Sequence, residues 1–557
     1  MENCFKGVNM ALRWWGWGYE EIHYPLERKP HFLPFLQEKL GAKPQPVLPV
    51  PSPDEIKLPP SRLEPEVQEE LSRIVGEGNW SSSHQERLTH ALGKSYPDLI
   101  RIRLKQVDKA PDAVVFPGKE EEILQILDLA VRYRLAIVPF GGGTTVVGGV
   151  APLSPEGFSG VLCLDLRRMS RLLHLDEISR TATFEAGIMG PDLEKALNEK
   201  GFTLGHFPQS FEFSSLGGWI ATRSAGQKST GYGKIEDMVI SLRVLTPVGI
   251  IETLPVPASA SGPSLKEFLV GSEGIYGIIT RATLRIHPLP RKIKHIGIIF
   301  PSFPDGIEAV REILQKGLRP ATVRLSDPPE TEASFVLREV GKGLKESITR
   351  LVIAFLKRRG YLPGGSLLIL GVEGEGKEVE RVIKECVGIA RRHRGLNLGR
   401  SVGESWYRER FILPYLRDDL ITWGIMVDTL ETATTWSNII ALYGRIREAI
   451  IKAIEETGSP AYVMCHISHC YPEGASLYYT FLGRQQWGRE IEQWWHVKRA
   501  ATEAIVAGGG TLSHHHSVGL DHKPWLEKEH SKIGVEVLKA VKSVLDPHGI
   551  MNPGKLL

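Results

Sequence analysis

A buried-strand pattern, LAIVPF (135–140), runs straight into the glycine-rich stretch GGGTTVVGG (141–149), and this junction constrains the fold more than any other segment. Residues without Cβ let backbone N–H groups approach an anion closely, and consecutive N–H groups form an anion-binding nest. No Gly-Lys-Ser/Thr follows, so it is not a phosphate loop of the Walker type. The GxGxxG-then-helix pattern of dinucleotide folds does not fit either. Strand followed by glycines is the order of an α/β or α+β nucleotide domain, although a tight turn would read the same way.

Around this junction the texture is mixed. PDAVVFP (111–117) reads as a short strand, and EEEILQILDLAVRYR (120–134) as a helix with Ile123, Ile126, Leu127 and Ala130 on one stripe. The 557 residues allow about three domains. Residues 1–104 read as an irregular, partly helical wrapping region, because Pro44, Pro46, Pro49, Pro51, Pro53, Pro59 and Pro60 remove backbone donors there. Trp14, Trp15 and Trp17 upstream are expected to pack onto another domain. Residues 105–290 form the nucleotide domain. Residues 291–500 alternate strands such as HIGIIF (295–300) and SLLILGVEG (366–374) with helices, which suggests an antiparallel sheet with helices on one side. Residues 501–557 carry a His triplet and a final helix.

Composition narrows the partners. Lys+Arg is 68 and Asp+Glu is 65, a balance that excludes a general nucleic-acid binder. Cys4, Cys163, Cys386, Cys465 and Cys470 are odd in number and widely spaced, which points to a reducing compartment. No signal-like or membrane-spanning apolar run is present, so the expected location is cytoplasmic, with peripheral contact at a membrane.

Two further segments invite a flat ligand. Residues 208–249 crowd small residues, hydroxyls and glycines into a long irregular stretch, and residues 271–279 turn through glycines into a strand. Two segments carry titratable groups. In Cys465-His466-Ile467-Ser468-His469-Cys470, strand alternation puts His466 and His469 on opposite faces, and no second ligand pair has zinc spacing, so no metal is assigned. By the same alternation Tyr478 and Tyr479 point apart, so one of them faces a central ligand. In Ser513-His514-His515-His516-Ser517, an extended chain would place His514 and His516 on one face and His515 on the other. Imidazoles that titrate near neutrality suit proton transfer and anion binding.

Taken in order, PxxVxxP, PxGGGT, GGxxATRSAG and GSEGxxGxIT resemble the flavin-binding domain of the vanillyl-alcohol oxidase family. The resemblance implies an α+β chain: a PCMH-type FAD-binding domain of two α/β subdomains, plus a cap domain with an antiparallel sheet flanked by helices. It implies FAD contacts at Pro139, Phe140, Gly141, Gly142, Gly143, Thr144 and Thr145, and at Gln209, Ser210, Phe211, Glu212, Phe213, Ser214 and Ser215. It extends them to Ala221, Thr222, Arg223 and Ser224, and to Glu273, Gly274, Ile275, Tyr276, Gly277, Ile278 and Ile279. Many relatives attach the flavin through a His beside the glycine loop. Here the loop reads Gly143-Thr144-Thr145, which implies non-covalent FAD.

Across nearly the whole chain, WGWGY (15–19), PYLRDDL (414–420), LETATTW (430–436), EGASLYY (473–479) and GGTLSHHHSVG (509–519) resemble the alkyldihydroxyacetonephosphate synthase family. That resemblance implies exchange of the acyl chain of acyl-dihydroxyacetone phosphate for a long-chain fatty alcohol in ether-lipid synthesis, through a covalent flavin N5 adduct without net redox. It gives catalytic roles to Tyr478, His514, His515, His516 and Arg324 and substrate binding to Arg417. It also implies a homodimer. Guanidinium groups bind phosphate bidentately, so Arg324 or Arg417 suits the substrate's phosphate. GKGLKESITRLVIAFLKRRG (341–360) reads as a basic amphipathic helix, with Leu344, Ile348, Leu351, Val352 and Phe355 on one stripe and Lys342, Lys345, Arg350, Lys357, Arg358 and Arg359 supplying charge. It suits a membrane surface, or it packs on the cap sheet.

Two features depart from the pattern. Gln209 stands where the family has Asp, and DPHGIMNPGK (546–555) looks like the FAD-dependent D-lactate and glycolate dehydrogenases. The metal-site motif of those enzymes would fall at His469–Gly474, which keeps one His and places Tyr478 where a second would stand. A 2-hydroxy-acid dehydrogenase is therefore the alternative reading.

Overall fold

The computed structural model describes residues 11–43, 45–339 and 344–557. Cys4, Pro44, Lys342 and the side chains of Leu344, Lys345 and Ile348 lie outside the described residues.

The strand Gly160–Asp165 runs parallel between Ala113–Val115 and Leu135–Phe140, with Trp80–Ser81 added antiparallel at one edge. The helix Glu120–Tyr133 covers this sheet and buries Ile123, Ile126, Leu127 and Ala130, the stripe expected from its periodicity. A second sheet of five antiparallel strands lies in the same half of the molecule, and one apolar core joins the two. The glycine loop follows Phe140 at the end of the first sheet.

The cap is a seven-stranded sheet in which every pairing is antiparallel. Period-2 alternation sorts its side chains. Val463, Cys465 and Ile467, with Leu477, Tyr479 and Phe481, point into a core built with the helices Phe303–Gln315, Gly376–Arg392, Ile439–Glu455 and Glu490–Ala507. Met464, His466 and Ser468, with Tyr478, Thr480 and Leu482, point the other way and line a cavity. Helices were expected on one side only. Others lie on the cavity face, among them Arg400–Glu409, where Ser401, Val402, Ser405 and Trp406 form part of the wall. Glycines make room for this helix: a Cβ at Gly297 would lie 2.7 Å from Val402, and one at Gly403 would lie 2.5 Å from the Ile296 backbone.

Both ends of the chain reach this cavity. In the N-terminal arm, the helix Phe32–Leu40 buries Phe32, Phe35, Leu36 and Leu40 in the cap core. Among its described residues the proline-rich stretch that follows carries only a three-residue turn, Pro53–Glu55, and the Val47 and Leu48 amides both donate to the Thr422 carbonyl. Trp17 packs edge-on against Phe213 of the nucleotide half at 5.1 Å. At the other end, Asn552 docks on the first sheet through its N–H to Ile137, and its side-chain amide donates to the carbonyls of Gly149 and Glu273.

Candidate active site

The three segments singled out in the sequence converge on one cavity of about 940 Å³. Pro139 through Thr145 form one wall. Gly143 holds φ at +64°, a conformation that spares a residue without Cβ. Among the described residues, the N–H groups of Gly141 through Thr144 donate to no protein acceptor. Such a row of free donors fits a pyrophosphate. Gln209, Ser210, Ser214, Ser215, Ala221, Thr222 and Ser224 form a second wall, and Glu273, Gly274, Gly277, Ile278 and Ile279 a third. Unpartnered polar atoms on Gln227, Ser517 and Asn552 face the same space, so the residues present fit a large polar-ended cofactor.

Six expected cofactor contacts lie elsewhere. Phe211 stacks among Phe207, Trp219 and Phe411, and Phe213 packs against Trp17 and Tyr19. Glu212 offers its carbonyl to the Tyr19 hydroxyl at 3.0 Å. Arg223 turns outward toward Glu236 and Glu267. Ile275 and Tyr276 fill a separate small core with Leu526, Val535 and Leu556. In each case the apolar or long side chain points away from the segment's exposed backbone. Gln209 bridges the halves instead of meeting a charge: its Nε2 donates to the Arg410 carbonyl at 2.6 Å, and its Oε1 accepts from Gln227 at 3.1 Å.

The cap sheet supplies the opposite wall. Tyr478 lies in register with His466 on one neighbouring strand and with Glu431 on the other. Its ring stacks on His466 at 4.8 Å, and Tyr479, on the other face, donates to the Tyr443 carbonyl in the core. Burial pushes the Tyr478 hydroxyl up to about 12, which keeps it protonated. Arg324 reaches His466 at 3.0 Å and Glu330 at 2.5 Å. Burial alone would raise the Glu330 carboxyl, but Arg324 and His466 hold it down at about 2.

His466 and His469 do not point apart as alternation required. The register slips between Ser468 and Cys470, and His469 has φ +49°. This bulge adds one residue to the strand and turns His469 onto the cavity face beside His466. Ser229 Oγ meets His469 Nδ1 at 2.6 Å.

The His triplet is not extended either; it runs through consecutive bends. His515 and His516 line the cavity, whereas His514 turns aside and bonds Tyr471 Oη through Nε2 at 2.7 Å. Glu431 causes the bend. It accepts the Ser513 hydroxyl at 2.7 Å and the backbone N–H groups of His514, His515 and His516 at 2.5, 3.2 and 2.9 Å. Ligand-type atoms of Glu431, His514 and His515 lie within 4.8 Å of one another. Those four donors already occupy the carboxylate, so it serves as a clamp for the loop. Glu431 was not singled out in the sequence, although one carboxylate in the β-branched run TLETATT is a signal of a buried, partnered charge.

The two candidate arginines differ. Arg324 is committed to Glu330. Arg417 donates from Nη1 to the Lys94 carbonyl at 2.9 Å, while its buried Nε and Nη2 have no partner among the described residues. It stands 5.5 Å from the Trp17 ring, and both residues line the cavity. Trp17, Glu330 and Asn552 were missed as site residues: Trp17 and Asn552 stand inside quoted stretches whose resemblance gave them no role, and Glu330 belongs to no quoted motif.

Beyond Arg324 the wall becomes apolar. Tyr24, Phe32, Phe35, Leu337, Val352, Ile353 and Leu356 extend the cavity to the helix Leu344–Arg358. On the outer side of that helix Leu351 and Phe355 are exposed, at 71% and 46%.

Comparison with known proteins agrees with this geometry. The family model described as an FAD binding domain matches residues 111–254, and that described as the C-terminal domain of FAD linked oxidases matches residues 289–556. The cofactor of the chain is therefore FAD, and the first two of the converging segments lie within the matched FAD binding domain. An alkyldihydroxyacetonephosphate synthase of Dictyostelium discoideum is 36% identical over 90% of this chain and 82% of its own length. One of Trypanosoma brucei brucei is 35% identical over 98% and 92%. A solved alkyldihydroxyacetonephosphate synthase structure superposes with a TM-score of 0.84 at 32% identity, covering 98% of this chain and 99% of its own. At these identities over most of each chain, the chain belongs to the alkyldihydroxyacetonephosphate synthase family.

Proposed function

We propose that the chain exchanges the acyl chain of acyl-dihydroxyacetone phosphate for a long-chain fatty alcohol, giving alkyl-dihydroxyacetone phosphate and a fatty acid. One observation carries the assignment to this cavity: Arg417, whose Nε and Nη2 have no partner among the described residues, lines a cavity whose far end is apolar. A buried, unpaired guanidinium suits a phosphate dianion, and the apolar extension suits an alkyl chain.

The N–H groups of Gly141–Thr144 would hold the pyrophosphate of a non-covalent FAD. When bound, it supplies a reduced ring that acts as a nucleophile toward the substrate carbon. Tyr478 and His515 flank the reacting carbon and move its protons, with their rings 5.9 Å apart. His516, whose ring is 5.6 Å from Tyr478, stands on the other edge. Arg324 orients His466, which in turn holds the Tyr478 ring by stacking. Aromatic walls keep water from the reacting carbon.

The alcohol arrives from a membrane. The helix Leu344–Arg358 separates the apolar end of the cavity from solvent, and its exposed Leu351 and Phe355 lie beside exposed Lys357 and Arg358, as in a helix that rests in a lipid interface. Among the described residues no helix is long and apolar enough to cross a membrane. We place the enzyme in the cytoplasm, peripheral to the membrane, as a homodimer; the sedimentation coefficient of the purified protein tests the dimer.

The experiment pairs two reactions under anaerobic conditions. One supplies palmitoyl-dihydroxyacetone phosphate and hexadecanol, the other D-lactate and an artificial electron acceptor. Ether product without acceptor reduction is expected, and Tyr478→Phe should lower its rate by roughly 100-fold or more. Acceptor turnover with D-lactate and no ether product would replace this reading with a dehydrogenase.

A further inference from the structure

We propose that His515, His514 and Tyr471 form a proton relay that carries protons between the cavity and the outer rim of the cap sheet. The geometry is a continuous chain. His515 lines the cavity, and its Nδ1 lies 3.1 Å from Nδ1 of His514. His514 Nε2 lies 2.7 Å from Tyr471 Oη. Tyr471 is partly exposed and opens the exposed turn at Pro472 and Glu473. Among the described residues no hydrogen bond involves Nε2 of His515, which leaves that nitrogen to the cavity. The relay also accounts for His514, which bonds into the loop yet lines no part of the cavity.

Two Nδ1 atoms can share one hydrogen, so the chain has two polarities. In the outward polarity, His515 Nδ1–H donates to His514 Nδ1, and His514 Nε2–H donates to Tyr471 Oη. His515 Nε2 is then bare and faces the cavity as a base. When it accepts a proton from the cavity, its Nδ1 proton passes to His514 Nδ1. His514 gives its Nε2 proton to Tyr471, and Tyr471 releases its own hydroxyl proton to solvent. One proton enters, one leaves, and every ring is neutral afterwards. The inward polarity results, with His515 Nε2–H poised as an acid, and return of a proton by the reverse path resets it.

The surroundings favour such a neutral relay. Burial lowers His514 and His515 well below the ordinary imidazole range, so neither holds an imidazolium for long. The charged and titratable groups facing them are His469, whose ring lies 5.2 and 4.8 Å from theirs, together with Lys234, Glu431, His466 and His516. Lys234 Nζ donates to the His514 carbonyl at 2.7 Å, and Glu431 grips the backbone. Glu431 Oε2 lies 3.7 Å from His515 Nδ1, beyond hydrogen-bond distance, so both fix the loop while the relay nitrogens bond one another. Glu236 and Asp237 face the Tyr471 phenol.

This inference rests on the proposed synthase reaction, and its test separates the two. With FAD-loaded enzyme and the palmitoyl and hexadecanol substrates, Tyr471→Phe should lower kcat by on the order of tenfold with KM little changed. Added imidazole should restore the rate of the variant in a concentration-dependent way and leave the wild type unaffected. His514→Asn keeps a donor and an acceptor but cannot exchange them, and should show the same loss. Nitrogen-15 NMR of labelled histidines, without substrate, should show His514 and His515 averaged between tautomers in the wild type and fixed in one tautomer in Tyr471→Phe. A kcat loss that imidazole leaves untouched, a wild-type kcat in Tyr471→Phe, or tautomer populations insensitive to the substitution would each overturn the relay. Absence of ether product from the wild type, with the NMR difference present, would overturn the synthase reading and leave the relay standing.

Discussion

The Glu431 carboxylate accepts the backbone N–H of His516 at 2.9 Å, and the same residue lies in register with Tyr478 on the adjacent strand. One buried anion therefore ties the backbone of His516 to the strand position that faces Tyr478. Burial pushes its carboxyl up, yet the facing His516 and His514 and the donated hydrogen bonds outweigh this and hold it at about 2.

Replacing Glu431 by Gln turns one acceptor oxygen into a donor that faces backbone N–H groups. The expected loss is about 2–3 kcal/mol of stability, with a marked fall in kcat. The pH dependence has a definite sign. A carboxyl held below its unfolded value of 4.5 stabilises the fold above that pH and loses the contribution as pH falls toward 2. The melting-temperature gap between wild type and Glu431→Gln should be constant above about pH 5 and close as pH drops to about 2. A gap that does not change with pH would mean the carboxylate charge is not what holds the loop.

Glu273 should behave in the opposite sense. Burial raises its carboxyl to about 7, although it accepts the amides of Val518 and Gly519 at 2.9 and 2.8 Å. A group raised in the folded state stabilises it below its unfolded value of 4.5 and loses that contribution as pH rises through about 7. Glu273→Gln cannot ionise, so its melting temperature should decline less between these limits than that of the wild type. Parallel curves would show that Glu273 does not titrate in this window.

Arg417→Gln should act on substrate binding and leave the fold intact, because two of its nitrogens have no protein partner to lose. Loss of a charge-assisted contact to phosphate should lower kcat/KM by about 10- to 100-fold, mostly through KM. Glycerol phosphate should inhibit the wild type competitively and the variant far less. Equal inhibition of both would place the phosphate elsewhere.

Phe355→Glu with Leu351→Glu should abolish co-sedimentation with anionic liposomes while activity on detergent-dispersed short-chain alcohol persists. Both side chains are exposed, so the fold should lose little. Unchanged co-sedimentation would remove this helix from the membrane contact.

Much of this was legible in the sequence because it follows local rules. The strand-to-glycine junction, the stripe on Glu120–Tyr133 and the opposed faces of Tyr478 and Tyr479 depend on period and on the absence of Cβ. Other features depend on what the rest of the fold does. The bulge at His469 inverts the outcome of alternation, and no residue type announces it. His514 leaves the cavity because Glu431, 83 positions away, bends the loop. Phe211 and Phe213 read as cofactor contacts by adjacency, but their rings find aromatic neighbours from the N-terminal arm and from Phe411. Arg324 and Arg417 look alike as letters; only the neighbours show that one is paired and the other is free.

Trp17 and Asn552 line the same cavity. A ribosome makes the first long before the second, and the histidine loop also comes late. The chamber between the nucleotide half and the cap is walled on one side by Asn552, which docks beside Ile137. A chamber walled by residues so far apart in sequence is whole only when both segments are docked.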